Sequence, residues 1–161
     1  KRSNMVLFPD HNQKMHKKPD SEPIVWRPGA YGVLENDKGE WLMVEPTWST
    51  RLDFPGGGVE KDESIHEGVT REFYEETGYR VDVDDQPLFV DESYFYHEQL
   101  GYCHCVIMIY RATLKDDKRD AHVVNTFEDG YEIRDMRWVS PESLKEEDVS
   151  PIFWKFIQSQ R

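Results

Sequence analysis

Gly56-Gly57-Gly58-Val59-Glu60-Lys61-Asp62-Glu63-Ser64-Ile65-His66-Glu67-Gly68-Val69-Thr70-Arg71-Glu72-Phe73-Tyr74-Glu75-Glu76-Thr77-Gly78 is the stretch on which the fold turns. Three consecutive glycines forbid a helix at its start and let the backbone approach a neighbour closely. A helix follows, with both ends marked. Ser64 with Glu67 three residues later forms a Ser-x-x-Glu capping box, and Gly78 supplies the C-terminal stop. The roughly 13 residues between them make a helix of about 20 Å. Its apolar stripe runs Ile65, Val69, Phe73, and continuing it by steps of three and four reaches Glu72 and Glu76. Glu75 lies on the neighbouring edge, so the three acids span about 100° of the helix.

Such a cluster is unfavourable by itself. Like charges at these spacings repel by a few tenths of a kcal/mol per pair, and a partly buried carboxylate without a partner costs several times more. From Glu60 to Glu76 seven acids (60, 62, 63, 67, 72, 75 and 76) oppose Lys61 and Arg71, a local net charge of -5. Arg71 reaches Glu75 or Glu67 at i±4 but cannot neutralise three acids. All the candidate ligands are oxygens, which favours a hard cation, Mg²⁺ or Mn²⁺. The competing reading is an ordinary solvated acidic helix. The acids interrupting an apolar stripe, right after a glycine loop, weigh against it.

Upstream, Ala30 to Leu34 reads as a strand, Asn36-Asp37-Lys38-Gly39 as a hairpin turn and Trp41 to Val44 as the returning strand. Downstream, strands are predicted at Tyr79 to Val83, Pro87 to Tyr96 and Tyr102 to Leu114. The run Cys105 to Tyr110 is apolar enough to be buried on both faces. Trp138-Val139 reads as a last short strand. Ser140-Pro141 and Ser150-Pro151 each offer an N-cap followed by Pro at the first helical position, so two short C-terminal helices are expected. The pattern is α+β, with a mixed central sheet between helices. Residues 1-23 are polar and read as an N-terminal arm, and residues 24-161 as the domain. The basic cluster Lys14, Lys17 and Lys18 reads as a solvated face.

A chain of 161 residues fits one compact domain, and its net charge of -12 disfavours nucleic acid or an anionic membrane as a general partner. No apolar run approaches a membrane span and no apolar leader opens the chain, so a cytoplasmic location is expected. A homodimer is among the assemblies open to it. Cys103 and Cys105 share one face of a strand and cannot easily bridge each other. A zinc site from them with His104 and His97 is disfavoured, because His104 faces the other way; buried core thiols are expected instead.

Gly57, five residues, Glu63, seven residues, then Arg71-Glu72-Phe73-Tyr74-Glu75-Glu76-Thr77-Gly78-Tyr79 resembles the Nudix box, Gly-x5-Glu-x7-Arg-Glu-U-x-Glu-Glu-x-Gly-U, with U bulky and apolar. Every fixed position matches. Phe54-Pro55-Gly56-Gly57 is similar to the family's loop before the box, and the likeness extends loosely over residues 24 to 160. Phe73 and Tyr79 stand where Ile, Leu or Val is commoner, and Gly68-Val69-Thr70 replaces the usual small pair before the Arg. Gly68 is read as room for the preceding loop.

The resemblance implies a Nudix-like α/β/α sandwich with one catalytic helix, and a nucleotide pyrophosphohydrolase acting on a small-molecule nucleotide substrate. It implies Mg²⁺ (or Mn²⁺) held by Glu72, Glu75 and Glu76, binding the diphosphate and acidifying a water. Gly57, Glu63 and Arg71 would be structural in the site, with Glu63 near the loop and Arg71 orienting Glu75. Glu72 and Glu76 would be catalytic, joined by an acid from a later loop: Glu132, in preference to Glu128 or Asp129. Trp48 and Tyr96 are expected to contact the substrate, Trp48 by stacking, and Arg51 to pair with a phosphate. A cross-strand packing role for Tyr94 and Tyr96 is the competing expectation. The functional alternatives are a non-catalytic nucleotide-sensing Nudix module, in which one or more of the three glutamates would be lost, and an isoprenyl diphosphate isomerase, which would want a cysteine in a pocket.

Overall fold

A computed structural model describes residues 6-124 and 133-161. The expected helix is present as α1, Ile65–Thr77. The Ser64 hydroxyl accepts from the Glu67 amide, and Gly78 closes the last turn in the left-handed conformation at φ 78°. Around it the chain forms β1 (Leu7–Pro9), β2 (Met15–Lys17), β3 (Ile24–Leu34), β4 (Trp41–Pro46), β5 (Gly56–Gly58), β6 (Tyr79–Val83), β7 (Phe89–His97), β8 (Gly101–Arg119), β9 (Ile133–Val139) and α2 (Pro151–Ser159).

The principal sheet is mixed, in the order β5-β3-β8-β6, with β7 also pairing β8. β8 is long enough to take two antiparallel neighbours in succession, β7 over its first half and β6 over its second. Its other edge runs parallel to β3 from Ile24↔Tyr102 to Leu34↔Ala112. Strand alternation then splits the core in two. Cys103, Cys105, Ile107 and Ile109 face α2 through Phe153, Phe156 and Ile157. Met108 and Tyr110, with Ala30, pack with Val69 of α1 on the opposite face, and Ala112 and Leu34 pack with Phe73. This is an α+β sandwich with a mixed sheet between helices, as expected. Gly32 shows how tightly α1 seats, because a Cβ there would lie 2.9 Å from the Phe73 ring.

Two expectations are corrected. The turn at Asn36–Gly39 forms, with the Asn36 side chain accepting from the Lys38 and Glu40 amides. Beyond the single bridge Glu35↔Trp41, however, β4 leaves β3 and pairs antiparallel with β9 in a second, two-stranded sheet. Leu42, buried in the α1-side cluster, and Trp41 and Met43, buried in the α2-side cluster, make β4 a two-faced core strand. The segment after Ser140-Pro141 is not a helix but two 3₁₀ turns, Pro141–Ser143 and Glu146–Asp148. Leu144 between them takes an extended backbone and is buried, and that one apolar anchor leaves no stripe for a helix to lay down. Only the second C-terminal helix, α2, forms.

Cys103 and Cys105 are buried free thiols, raised in pKa first by burial, and Cys105 is pushed up to about 12. His104 faces away, stacked on Tyr94 at 4.1 Å and hydrogen-bonded to Glu92. Within the arm, β1 and β2 form a short antiparallel hairpin. Among the described residues, no helix is long and apolar enough to cross a membrane.

Candidate active site

Strand β5 is made of glycine alone, and this lets the carboxylates of α1 emerge at the sheet edge. It pairs antiparallel with β3 at Gly29, Ala30 and Tyr31. A Cβ on Gly56 would lie 2.3 Å from the Ala30 carbonyl oxygen, so nothing larger fits. A Cβ on Gly57 would lie 2.8 Å from the Glu72 carboxyl carbon, and one on Gly58 within 2.9 Å of the Arg27 guanidinium. Gly57 therefore makes room for a glutamate. Gly68 likewise leaves space for Glu63 and Val59 from the preceding loop, which would lie 3.0 and 3.1 Å from a Cβ at that position.

Arg71 organises the acids. Its Nε and Nη2 donate to the two Glu63 oxygens at 2.9 and 2.7 Å, and Nη1 donates to Glu72 and Glu75 at 3.2 Å. Nη2 also reaches the Gly58 carbonyl at 3.3 Å. Glu63 is thus the principal partner of Arg71, with Glu75 secondary, which refines the expected Arg71–Glu75 pairing. The two-pronged fit holds Glu63 below the usual carboxylate range, with the Arg71 hydrogen bond as the main cause, and raises Arg71 in turn.

Glu76 sits apart from this pairing. Its Oε2 accepts from the Gly56 amide at 3.4 Å, and burial, followed by the charges of Glu72, Asp53 and Glu75, pushes its carboxyl well above the ordinary value. Asp53 is pushed up to about 7 by burial, moderated by a hydrogen bond from the Ser150 hydroxyl. That bond also explains why Ser150, expected to cap α2, makes no side-chain cap: its hydroxyl is turned to Asp53.

Glu72, Glu76 and Asp53 line a cavity of 240 Å³, together with Arg27, Tyr31 and Gly57. Trp48 and Tyr96, the two side chains expected at the substrate, also line it. Trp48 meets the rings of His11 and His97 edge-on at 6.3 and 5.8 Å. Tyr96 packs against His16 and Tyr102, so it serves the wall and the cross-strand contact at once. Arg51 takes another place. Its Nη1 donates to the Val149 carbonyl at 3.0 Å and the Glu146 carbonyl at 3.4 Å, tying its loop to the C-terminal turns outside the cavity lining. Arg51, expected to pair with a phosphate, is thus not among the residues that line the cavity. Glu132, Glu128 and Asp129 lie outside the described residues.

Arg27 and Asp53 were missed by sequence reasoning. Arg27 shares the face of Gly29 and Tyr31 on β3, and alternation would have placed it had the strand been started at Ile24. Asp53 carries no comparable signal, because its burial depends on Ser150, 97 residues away.

Among the described residues, no three Asp, Glu, His or Cys side chains already converge as a metal-ligand set. Arg71 lies against Glu72 and Glu75 instead. The donor chemistry nevertheless fits a hard cation. Glu72, Glu75, Glu76 and Asp53 gather near the glycine edge, all donors are oxygen, and Glu76 is raised by burial first and then by the charges of the other three.

The NUDIX domain model matches residues 25–160. The chain belongs to the NUDIX family. As a member it is a hydrolase of phosphoric anhydride bonds. A Bacillus subtilis protein assigned as an 8-oxo-dGTP diphosphatase is 28% identical over 126 residues, 72% of this chain and 68% of that protein. The mRNA-decapping protein OPG122 of variola virus is 27% identical over 101 residues, 58% of this chain but only 38% of that protein. Among solved structures, the MutT protein from Methanosarcina mazei Go1 superposes with a TM-score of 0.61 at 23% identity, covering 86% of this chain and 95% of that one, a likeness of fold.

Proposed function

We propose that the protein hydrolyses the diphosphate linkage of a small nucleoside diphosphate derivative, with Mg²⁺ or Mn²⁺ held by Glu72, Glu75 and Glu76. The observation that carries this reading is the close approach of the Glu72 carboxyl to Gly57, with Glu76 beside it on the same cavity. When bound, the cation supplies charge compensation for the phosphates and a more acidic water.

The chain's own residues do the rest. Arg71 holds Glu63, Glu72 and Glu75 in register. Glu72 and Glu76 reach the same cavity beside the glycine edge and are the proposed catalytic pair, with Glu132 as the further acid. Arg27 places a cation on the cavity wall for substrate anions. Trp48 and Tyr96 supply flat apolar surface for a base or sugar. The net charge of -12 suits a small cation-bound substrate better than a polynucleotide, and the same reading carries a cytoplasmic location. Residues 24-161 would form the catalytic domain, in one copy or in a homodimer.

The test is release of phosphate or nucleoside monophosphate from a panel with Mg²⁺, Mn²⁺ or EDTA. The panel holds ADP-ribose, nucleotide sugars, dinucleoside polyphosphates, NADH and plain or oxidised nucleoside triphosphates. Cleavage of one class that EDTA stops supports the reading. No cleavage of any member with metal bound overturns it.

A further inference from the structure

The hairpin β1–β2 lies wholly before residue 25, where the family match begins, yet it walls the cavity described above. We propose that this N-terminal hairpin completes the substrate site and that His11 at its tip, set against Trp48, which in turn meets His97, forms an aromatic slot for the planar base of the substrate. The inference rests on the proposed nucleotide hydrolase function and adds which part of the substrate the hairpin reads.

The hairpin is docked, not trailing. Phe8 is only 1% exposed and is held edge-on by Tyr94 at 5.6 Å and Tyr102 at 5.3 Å. His16 lies on Tyr96 at 4.4 Å. Asp10 builds the tip: its carboxylate accepts from the Asn12 and Lys14 amides and bonds the His16 ring at 2.8 Å. Gln13 takes the left-handed conformation at φ 64° to close the turn. This scaffold sets the His11 ring against Trp48, and Trp48 against His97. Three rings from three separate segments thus meet in the wall of the cavity that Glu72, Glu76 and Asp53 also line. A nucleotide, with a planar base and a diphosphate that a cation on the carboxylates would hold, matches that combination. Base–aromatic stacking tolerates any base, so the slot selects for the presence of a base more than for its identity.

The experiment measures affinity without turnover. The probes are the α,β-methylene diphosphates of adenosine, guanosine, cytidine and uridine, with methylenediphosphonate as the base-free control, each titrated calorimetrically with Mg²⁺. In the wild type, at least one nucleoside probe binds more tightly than the control. His11→Ala weakens that probe about five- to tenfold, the low end of losing one stacking partner, and leaves the control within about twofold. His11→Phe, which keeps a ring, restores the affinity. Phe8→Ala, which does not itself line the cavity but loosens the docking of the hairpin on Tyr94 and Tyr102, weakens the nucleoside probe as well. Wild-type affinity of His11→Ala for every nucleoside probe would overturn the inference and leave the hydrolase reading standing. Equal losses for the control and the nucleoside probes would also overturn it. Failure of the wild type to bind any probe, the control included, would overturn both.

Discussion

Replacing Gly57 by Ala tests whether the glycine edge exists to admit Glu72. Its φ lies outside the left-handed range, so a methyl strains no torsion. The cost falls on one contact, since the new Cβ would sit 2.8 Å from the Glu72 carboxyl carbon, against 3.4–4 Å for ordinary contact. The carboxyl must therefore retreat by about 0.6 Å or more, and displacements approaching 1 Å at a reacting centre cost up to about a hundredfold in rate. The expected outcome is a ten- to hundredfold fall in kcat, with weaker Mn²⁺ binding and a melting temperature close to wild type. The assay is steady-state turnover of the substrate found in the panel, alongside Mn²⁺ titration and thermal unfolding. A double-mutant cycle with Glu72→Ala isolates the cause. In that background Gly57→Ala should change residual activity by less than about twofold, because its clash partner has gone. Wild-type activity of Gly57→Ala, or the same further loss in the Glu72→Ala background, would refute the reasoning.

Glu75→Gln and Glu76→Gln should each lower turnover at least a hundredfold while unfolding no earlier than wild type by circular dichroism, since each removes a crowded charge. Near-wild-type turnover of either with Mg²⁺ would undo the metal-site assignment. Arg71→Ala strips the two-pronged partner from Glu63 and the counter-charge from Glu72 and Glu75, and should destabilise by about 1–3 kcal/mol in urea unfolding. Arg71→Lys recovers only part, because an ammonium cannot grip both Glu63 oxygens. Asp53 links stability to pH. Its carboxyl rises from 3.8 to about 7 on folding, so only well below pH 3.8 are both states protonated and the penalty absent. As pH climbs towards 7 the unfolded state ionises first and stability falls, by about 2 kcal/mol, reduced from the ~4 of full conversion because the side chain borders the cavity. Asp53→Asn should flatten that slope in urea titrations at pH 4 and 7. An unchanged slope would mean that Asp53 ionises normally in the folded state.

Local signals survive in sequence when near neighbours decide them. Ser64, Glu67 and Gly78 lie within a turn of the helix ends they define, and α1 has the bounds they mark. The spacing of Glu72, Glu75 and Glu76 is likewise a property of one helix, legible before any fold is known. The hairpin reading of Asn36–Gly39 failed at the next level. The turn is local, but the partner of β4 is β9, about 90 residues on, and its choice depends on burying Leu42 and Met43 on opposite faces.

The sequence alone therefore determined the helix, its caps, the line of carboxylates, the apolar central strand and, through the complete box, the family. Those features rest on backbone periodicity and on residues a few positions apart. Only the tertiary structure decided that Glu63 takes most of Arg71, that Arg51 turns to the Val149 carbonyl, that Ser150 serves Asp53 and that the N-terminal hairpin walls the cavity. Each of those joins segments far apart in the chain. Their pairing is settled by which donors and acceptors are buried together, and spacing along one segment does not contain that information.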